Sequence, residues 1–120
     1  MSQAASQAAA FYKDVAKVKK VWSIRDANGI PAPIGSDGKR AMPFWSSLKR
    51  VNKIILEVPA YSNFEPFEIE WEKYRDHWLS GLEKDGLKVG VNWSGKKAVG
   101  YDVEPSIVKQ AIEFQISEIT

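Results

Sequence analysis

The feature that most constrains the fold is an amphipathic stretch at residues 42–58, MPFWSSLKRVNKIILEV. Its aliphatic side chains recur at helical spacing and form one stripe, which comprises Leu48, Val51, Ile54, Ile55 and Val58. Ser46 or Ser47 is suited to cap this helix, because a hydroxyl side chain accepts a hydrogen bond from a free backbone amide there. Pro59 ends the helix, since proline has no amide hydrogen to donate. Burial of each aliphatic side chain is worth roughly 1.5–3 kcal/mol, so the sequence predicts a strand followed by a helix packed across a sheet.

The other patterns predict further helices and strands on either side of this stretch. Helices are predicted at residues 6–20, 70–85 and 105–119, and strands at residues 21–26, 39–45, 64–69, 87–93 and 99–103. Residues 1–5 are expected to fray, Pro66 to interrupt its strand and Gly81 to split its helix. The order α-β-β-α-β-α-β-β-α predicts one α+β domain, residues 1–120, with a largely antiparallel sheet covered by helices.

Two short patterns add detail to this outline. Asn28-Gly29 is a strong signal for a tight turn after the first strand. In residues 87–93 the alternation places Val89, Val91 and Trp93 on one face of a strand, with Asn92 on the opposite face. Ser94-Gly95 then turns the chain, and the alternation continues at Val99, Tyr101 and Val103, which predicts a β-hairpin.

Composition limits the classes of protein that this chain can belong to. It has 120 residues, 44% of them apolar, which suffices for the core of one domain. No cysteine is present and His77 is the single histidine, which excludes disulfides and thiolate or histidine metal clusters. The apolar runs are shorter than the ~20 residues of a membrane helix, and the start of the chain lacks the basic and apolar regions of a secretory signal. We therefore expect a soluble cytoplasmic protein without a cofactor.

Charge is distributed unevenly along the chain. Residues 1–60 carry ten Lys or Arg against four Asp or Glu, whereas residues 61–120 carry seven against eleven. Such asymmetry is found at interaction surfaces, but two halves that pack together also produce it, with their charges interleaved on a mixed surface. The net charge of +2 does not indicate a polyanionic partner.

Three separated segments carry a family resemblance. They are residues 21–26 (VWSIRD), 42–47 (MPFWSS) and 89–93 (VGVNW). Together they resemble a family of small bacterial proteins called domain of unknown function 2750, and the likeness spans about residues 11–104. The resemblance implies a single-domain cytosolic bacterial protein with no assigned activity or cofactor, and it supplies no catalytic residues.

The strongest candidate for a binding site is the junction between the second strand and its helix. The candidate residues are Trp45, Ser46, Ser47 and Arg50, with Trp22 and Trp93 nearby. A helix start offers free amides and hydroxyls that suit an anion or carboxylate, and Arg50 adds a two-pronged hydrogen-bond donor. The alternative is a capped helix whose Trp45 packs in the core and whose Arg50 pairs with an acidic neighbour.

The residues give weaker support to three other kinds of chemistry. A serine nucleophile needs a base within hydrogen-bond reach, and His77 lies in no nucleophile-elbow pattern. The carboxylates near Glu72 and Asp76 suit either a solvated face or a hard cation such as Mg²⁺. Nucleic-acid binding would use a basic cluster next to aromatic rings, which comprises Lys39, Arg40, Lys49, Arg50 and Lys53. The acidic second half of the chain argues against it.

The sequence therefore favours a non-enzymatic binding or protein-interaction module. Its predicted contact surface is the junction from Trp45 to Arg50 with the loops at residues 28–39, and the partner is a protein or a small anionic ligand. The last helix, rich in isoleucine, or an apolar strand face is an alternative surface for a homodimer. The rival hypothesis is a small hydrolase or transferase that uses Ser46 or Ser47, Arg50 and a carboxylate.

Overall fold

Two sheets, one of two strands and one of three, organise the computed structural model, which describes residues 2–120. The strands are β1 Lys20–Arg25, β2 Ala41–Phe44, β3 Glu65–Glu70, β4 Lys88–Ser94 and β5 Val99–Val103. Antiparallel pairing joins β1 to β3 and β4 to β5, whereas β2 and β4 run parallel. The two sheets meet where Trp22 and Trp45 exchange two backbone hydrogen bonds of 2.8 Å. The strands thus lie in one layer, called here the sheet, in the order β3-β1-β2-β4-β5. The largely antiparallel pairing is confirmed, but it is divided between two sheets, and the parallel pair of β2 and β4 was not predicted.

The helices follow the predicted order only in outline. They are α1 Gln3–Val18, α2 Leu48–Glu57, α3 Trp71–Lys73, α4 Leu79–Lys84 and α5 Pro105–Ile119, with a 3₁₀ helix at Pro59–Tyr61 and a π-helical turn at Tyr74–Trp78. The third predicted helix is therefore interrupted ahead of Gly81, and the expectation that Gly81 splits it is wrong. In the π turn, the ring centroids of Tyr74 and Trp78 lie 4.9 and 6.0 Å from the ring centroid of Phe44. The helix therefore departs from α geometry where its aromatic side chains pack on the sheet.

Two element boundaries also differ from the sequence-based expectation. Helix α1 begins at Gln3, because the Ser2 hydroxyl accepts a hydrogen bond of 3.1 Å from the Ala5 amide. Residues 3–5 of the segment expected to fray are thus helical, and Met1 lies outside the described residues. Strand β3 continues through Pro66, which is tolerated because β3 is at an edge of the sheet.

Helices cover both faces of the sheet. One face packs against α1, α5 and the helical run from Trp71 to Lys84, and the other packs against α2. Within α2, Val51 and Ile54 are buried as the stripe predicts, but Leu48 at the first position is 47% exposed. Among residues 2–120, no helix has the length and apolar character needed to span a membrane.

The predicted hairpin of β4 and β5 is present, but β4 is buried on both faces and Trp93 does not share a face with Val89 and Val91 as the alternation predicts. Every residue from Val89 to Trp93 is buried. Asn92 has a positive φ of 50°, and the register shifts between Val91 and Ser94. This bulge turns Trp93 onto the α2 face, opposite Val89 and Val91, because an extra residue reverses the alternation beyond it.

Candidate functional site

Trp45 is a core residue at the junction predicted to be a contact surface. Its side chain is fully buried on the α2 face of the sheet. The indole nitrogen donates a hydrogen bond of 2.8 Å to the carbonyl oxygen of Trp93. The indole therefore joins β2 to β4 from inside the protein and offers no surface to a partner.

Ser46 is the centre of a buried polar cluster, named here the Ser46 network, which comprises Gln7, Asp14, Ser46 and Asn92. Ser46 is 2% exposed, and its amide donates to the Asn92 side-chain oxygen at 2.9 Å. Its hydroxyl donates to Asp14 Oδ2 at 3.1 Å and accepts from Asn92 Nδ2 at 3.0 Å. Asn92 Nδ2 also donates to the Gln7 carbonyl at 3.1 Å. The cluster ties α1 to the sheet, and every polar atom in these contacts has a partner.

Ser47 and Arg50 begin helix α2. The Ser47 side chain accepts a hydrogen bond of 3.2 Å from the Arg50 amide, which confirms the predicted serine cap. The Arg50 guanidinium donates to the side-chain oxygen of Gln7 on α1. Arg50 also lines a small hollow of about 70 Å³ with Lys53 and Glu57. Arg50 thus pairs with a neutral amide rather than with the acidic neighbour considered from the sequence.

Lys39 and Arg40 lie at the other end of β2 from Ser46. The Arg40 guanidinium donates to the Ala32 carbonyl at 2.8 Å, and the Lys39 amide donates to the Asp37 side chain at 2.9 Å. Arg40 and Ser46 are six residues apart in an extended segment, which corresponds to roughly 20 Å at about 3.3 Å per residue. The predicted basic and serine-containing parts of the surface are therefore separated by the length of the strand.

Trp22 and Trp93 both pack on the α2 face of the sheet. Trp22 is half-buried there, whereas Trp93 is buried. The Trp93 indole nitrogen donates to Asp102 Oδ1 at 3.1 Å and to the Tyr101 carbonyl at 3.3 Å. Glycine at position 90 makes room for this ring, because a Cβ there would collide with it.

Trp93 and Asp102 form the floor of a hollow of about 400 Å³, named here the Asp102 groove. Its walls come from the loop before β2, the 3₁₀ helix and the β4–β5 hairpin. The lining includes Pro33, Ile34, Gly35, Tyr61, Trp93, Lys97, Ala98, Val99 and Asp102. Two of them, Ile34 and Val99, are 61% and 64% exposed. The groove therefore has an apolar rim and a floor that carries one carboxylate.

The charges around the Asp102 groove are unequally paired. Lys88 forms an ion pair of 2.7 Å with Asp37, and this hydrogen bond lowers the pKa of the Asp37 carboxyl. Burial raises the pKa of Asp102, an effect that the hydrogen bond from Trp93 opposes and the nearby Asp37 reinforces. The Lys88 ammonium group thus lies near both carboxylates, Asp37 and Asp102, but it forms its ion pair with Asp37.

The remaining candidates from the sequence lie elsewhere. His77 is in the π turn and lines a separate hollow of about 300 Å³ with Met42 and Gly81. No group of three or more His, Asp or Glu side chains within residues 2–120 is arranged to hold a metal ion. No hydrogen bond between His77 and a serine occurs within that range.

Sequence reasoning missed the acidic and amide residues that complete both clusters. Asp14 lies in the middle of an amphipathic helix, and Asn92 and Asp102 occupy alternate positions of strands, where polar side chains are expected to face solvent. The local signal for these contacts was the set of glycines spaced around Trp93, since glycine in a strand is typical of a close approach by another group.

Comparison with known proteins supports the resemblance seen in the sequence. No curated protein and no solved structure matches the chain. A family model described as a protein of unknown function (DUF2750) matches residues 8–112. The chain therefore belongs to the DUF2750 family of proteins of unknown function.

Proposed function

We propose that this protein is a non-enzymatic binding module and that a protein partner docks in the Asp102 groove. The observation that carries the proposal is the groove itself, in which two exposed aliphatic side chains, Ile34 and Val99, line a hollow together with the buried Trp93 and the half-buried Asp102. A recess with an apolar rim and few polar groups is typical of a binding site. It includes Trp93 and part of the loops at residues 28–39, both of which the sequence assigned to the contact surface.

The groove is also rigid, which favours binding. Two hydrogen bonds fix the Trp93 indole, and the ring lies against glycines 90 and 100, where a Cβ would be in collision. Burial raises the pKa of the Tyr61 hydroxyl on this wall. A preformed site loses little conformational entropy when its partner docks.

The junction from Trp45 to Arg50 is a weaker candidate for the contact surface. Trp45 is buried, and Arg50 donates its hydrogen bond to Gln7. A small anion is still a candidate ligand of the hollow beside Arg50 and Lys53, although Glu57 lines the same hollow and opposes an anion.

The rival hydrolase or transferase hypothesis stays a prediction. Its favourable observation is the hydrogen bond of 3.1 Å from the Ser46 hydroxyl to Asp14. Against it, Ser46 is buried and its hydroxyl is shared between Asp14 and Asn92, so a substrate would have to displace the Ser46 network. Nucleic-acid binding has less support, since Phe44 and Trp45 are fully buried and their rings are not available for stacking on bases.

A capture experiment tests the proposed function. The protein and two variants are immobilised and exposed to a native lysate, and the captured proteins are quantified by mass spectrometry. Ile34→Ser with Val99→Thr removes the apolar rim, and the control Leu56→Ser removes an aliphatic side chain that is 86% exposed on α2, outside the groove. We expect a protein that the wild type and the control retain and the rim variant loses by about tenfold, as expected for lost apolar contact. Equal capture by all three proteins would contradict the proposal.

The bacterial cytoplasm is the proposed location. It is supported by the resemblance to a family of small bacterial proteins, and it implies that the partner is a cytoplasmic bacterial protein.

A further inference from the structure

Asp102 is a half-buried carboxylate with a single side-chain hydrogen-bond partner, the Trp93 indole. Its Oδ1 accepts the hydrogen bond from Trp93, while its Oδ2 faces the loop at Gly35, where a Cβ would lie 2.8 Å away. Among residues 2–120, no hydrogen bond reaches Oδ2. This oxygen therefore has unused capacity to accept a hydrogen bond inside the groove.

Within residues 2–120, no ion pair involves Asp102. Asp37 and Asp102 are two carboxylates beside Lys88, and Lys88 contacts Asp37 at 2.7 Å. Lys97 lines the groove on the exposed hairpin loop, and no ion pair involves it within residues 2–120. A cation that enters the groove would complete the pairing of Asp102 and lower its desolvation cost.

The other walls of the groove suit a cation that carries an alkyl stem. The rings of Tyr61 and Trp93 are both in the lining, and aromatic rings attract ammonium groups. Pro33 and Ala98 add apolar wall, against which methylene groups pack. An anion would face the Asp102 carboxylate, and a purely apolar group would leave that carboxylate unpaired.

We propose that the Asp102 groove binds an alkylammonium group, the side chain of a lysine on the partner protein, with its nitrogen at Asp102 Oδ2 and its stem against Tyr61 and Trp93. This inference rests on the proposed function, because it assigns the chemistry that the groove recognises.

A titration with n-butylammonium tests the assignment. Binding is followed through the indole N–H signal of Trp93 in ¹H–¹⁵N NMR spectra, assigned by its loss in Trp93→Phe. We expect saturable binding with a Kd on the order of millimolar, since the probe has five heavy atoms. The neutral n-butanol, of the same length, should shift this signal far less.

Asp102→Asn is the decisive variant. Its side-chain oxygen still accepts the Trp93 hydrogen bond, so the fold should be retained while the charge is lost, and the affinity for n-butylammonium should fall about tenfold or more. The matched control Asp85→Asn, at the end of α4, should bind as the wild type does. Lys97→Ala should bind equally or more tightly, because it removes a competing cation.

Three outcomes would overturn the inference: equal affinity in Asp102→Asn and wild type, equal shifts with n-butanol, or loss of binding in Lys97→Ala. The capture experiment separates this failure from that of the proposed function. A partner retained by Asp102→Asn but lost by the rim variant would leave the groove as the docking surface and reject only the lysine. Loss of the partner in Asp102→Asn and in the rim variant, with retention in both controls, supports both.

Discussion

The Ser46 network and the Asp102 groove each contain a half-buried carboxylate with one side-chain hydrogen-bond partner, but the surroundings of the two carboxylates differ. In the Ser46 network, Asp14 accepts a hydrogen bond from Ser46, whose other polar atoms are bonded to Asn92. In the groove, Asp102 has one partner, Trp93, and an oxygen that faces a hollow. A polar network whose buried centre, Ser46 with Asn92, is fully hydrogen-bonded braces a fold, whereas a carboxylate at the wall of a hollow with one free oxygen leaves a position for a ligand.

The largest expected effect is on the Ser46 network. Asn92→Ala removes hydrogen bonds to the Ser46 amide, the Ser46 hydroxyl and the Gln7 carbonyl, and it places alanine at a φ of 50°. We expect the free energy of unfolding to fall by about 3 kcal/mol, measured by urea denaturation. Asn92→Gly is the control that accepts the positive φ and should cost less. A cost of Asn92→Ala below about 1 kcal/mol would show that the network is not a brace.

Ser46→Ala should have a smaller effect at the same site. It removes the hydroxyl that links Asp14 to Asn92 but keeps the amide bond to Asn92. The expected loss is about 1–2 kcal/mol in the same denaturation assay. Ser36→Ala, in an exposed loop, is the matched control and should be neutral. Equal stability of the two variants would mean that the buried hydroxyl contributes nothing.

Arg50→Ala should cost less again. The guanidinium contacts the neutral side chain of Gln7, and the Ser47 cap of α2 uses only the backbone of residue 50. We expect a decrease in unfolding free energy of about 0.5–1 kcal/mol. Unfolding of this variant at room temperature, seen by circular dichroism, would instead make Arg50 a brace of equal rank with Asn92.

The smallest effect, of opposite sign, is expected in the groove. The pKa of Asp102 is raised above its ordinary value of 3.8 in the folded protein, mainly by burial. Ionisation of Asp102 therefore lowers the stability of the fold as the pH rises from the ordinary pKa to the raised one. Below the ordinary pKa the carboxyl is protonated in both the folded and the unfolded state, so it contributes no difference in stability. Asp102→Asn should be slightly more stable than the wild type at pH 7 and equal to it near pH 3, measured by thermal unfolding.

Asp37→Asn is the control, because it should change the stability at pH 7 in the opposite direction. The hydrogen bond from Lys88 lowers the pKa of Asp37, so its ionised form stabilises the fold above the ordinary pKa, and this contribution is lost as the pH falls through the lowered value. The variant should be less stable than the wild type at pH 7. The same sign of change for both variants at pH 7 would remove the distinction between the paired and the unpaired carboxylate.

Local signals predicted much of the fold. The Ser47 cap, the turn at Asn28-Gly29 and the glycine after α4 are all present, with Gly29 and Gly86 at positive φ. Each depends on interactions within a few residues of the chain, which sequence spacing encodes directly. The candidate site was predicted less well, because its residues were chosen for their type and their proximity in sequence. Trp45 is buried, and Arg40 lies a strand length away from Ser46.

By itself, the sequence determined the family, the α+β class and the strand and helix that join at Ser47, since these follow from hydrophobic period and local capping. Only the tertiary structure decided which groups meet. Asn92 lies 46 residues from Ser46 along the chain, and the bulge at Asn92 moves Trp93 across the sheet to Asp102. Such contacts depend on strand pairing and on the direction of each side chain, and a single bulge reverses that direction without a change in the hydrophobic pattern.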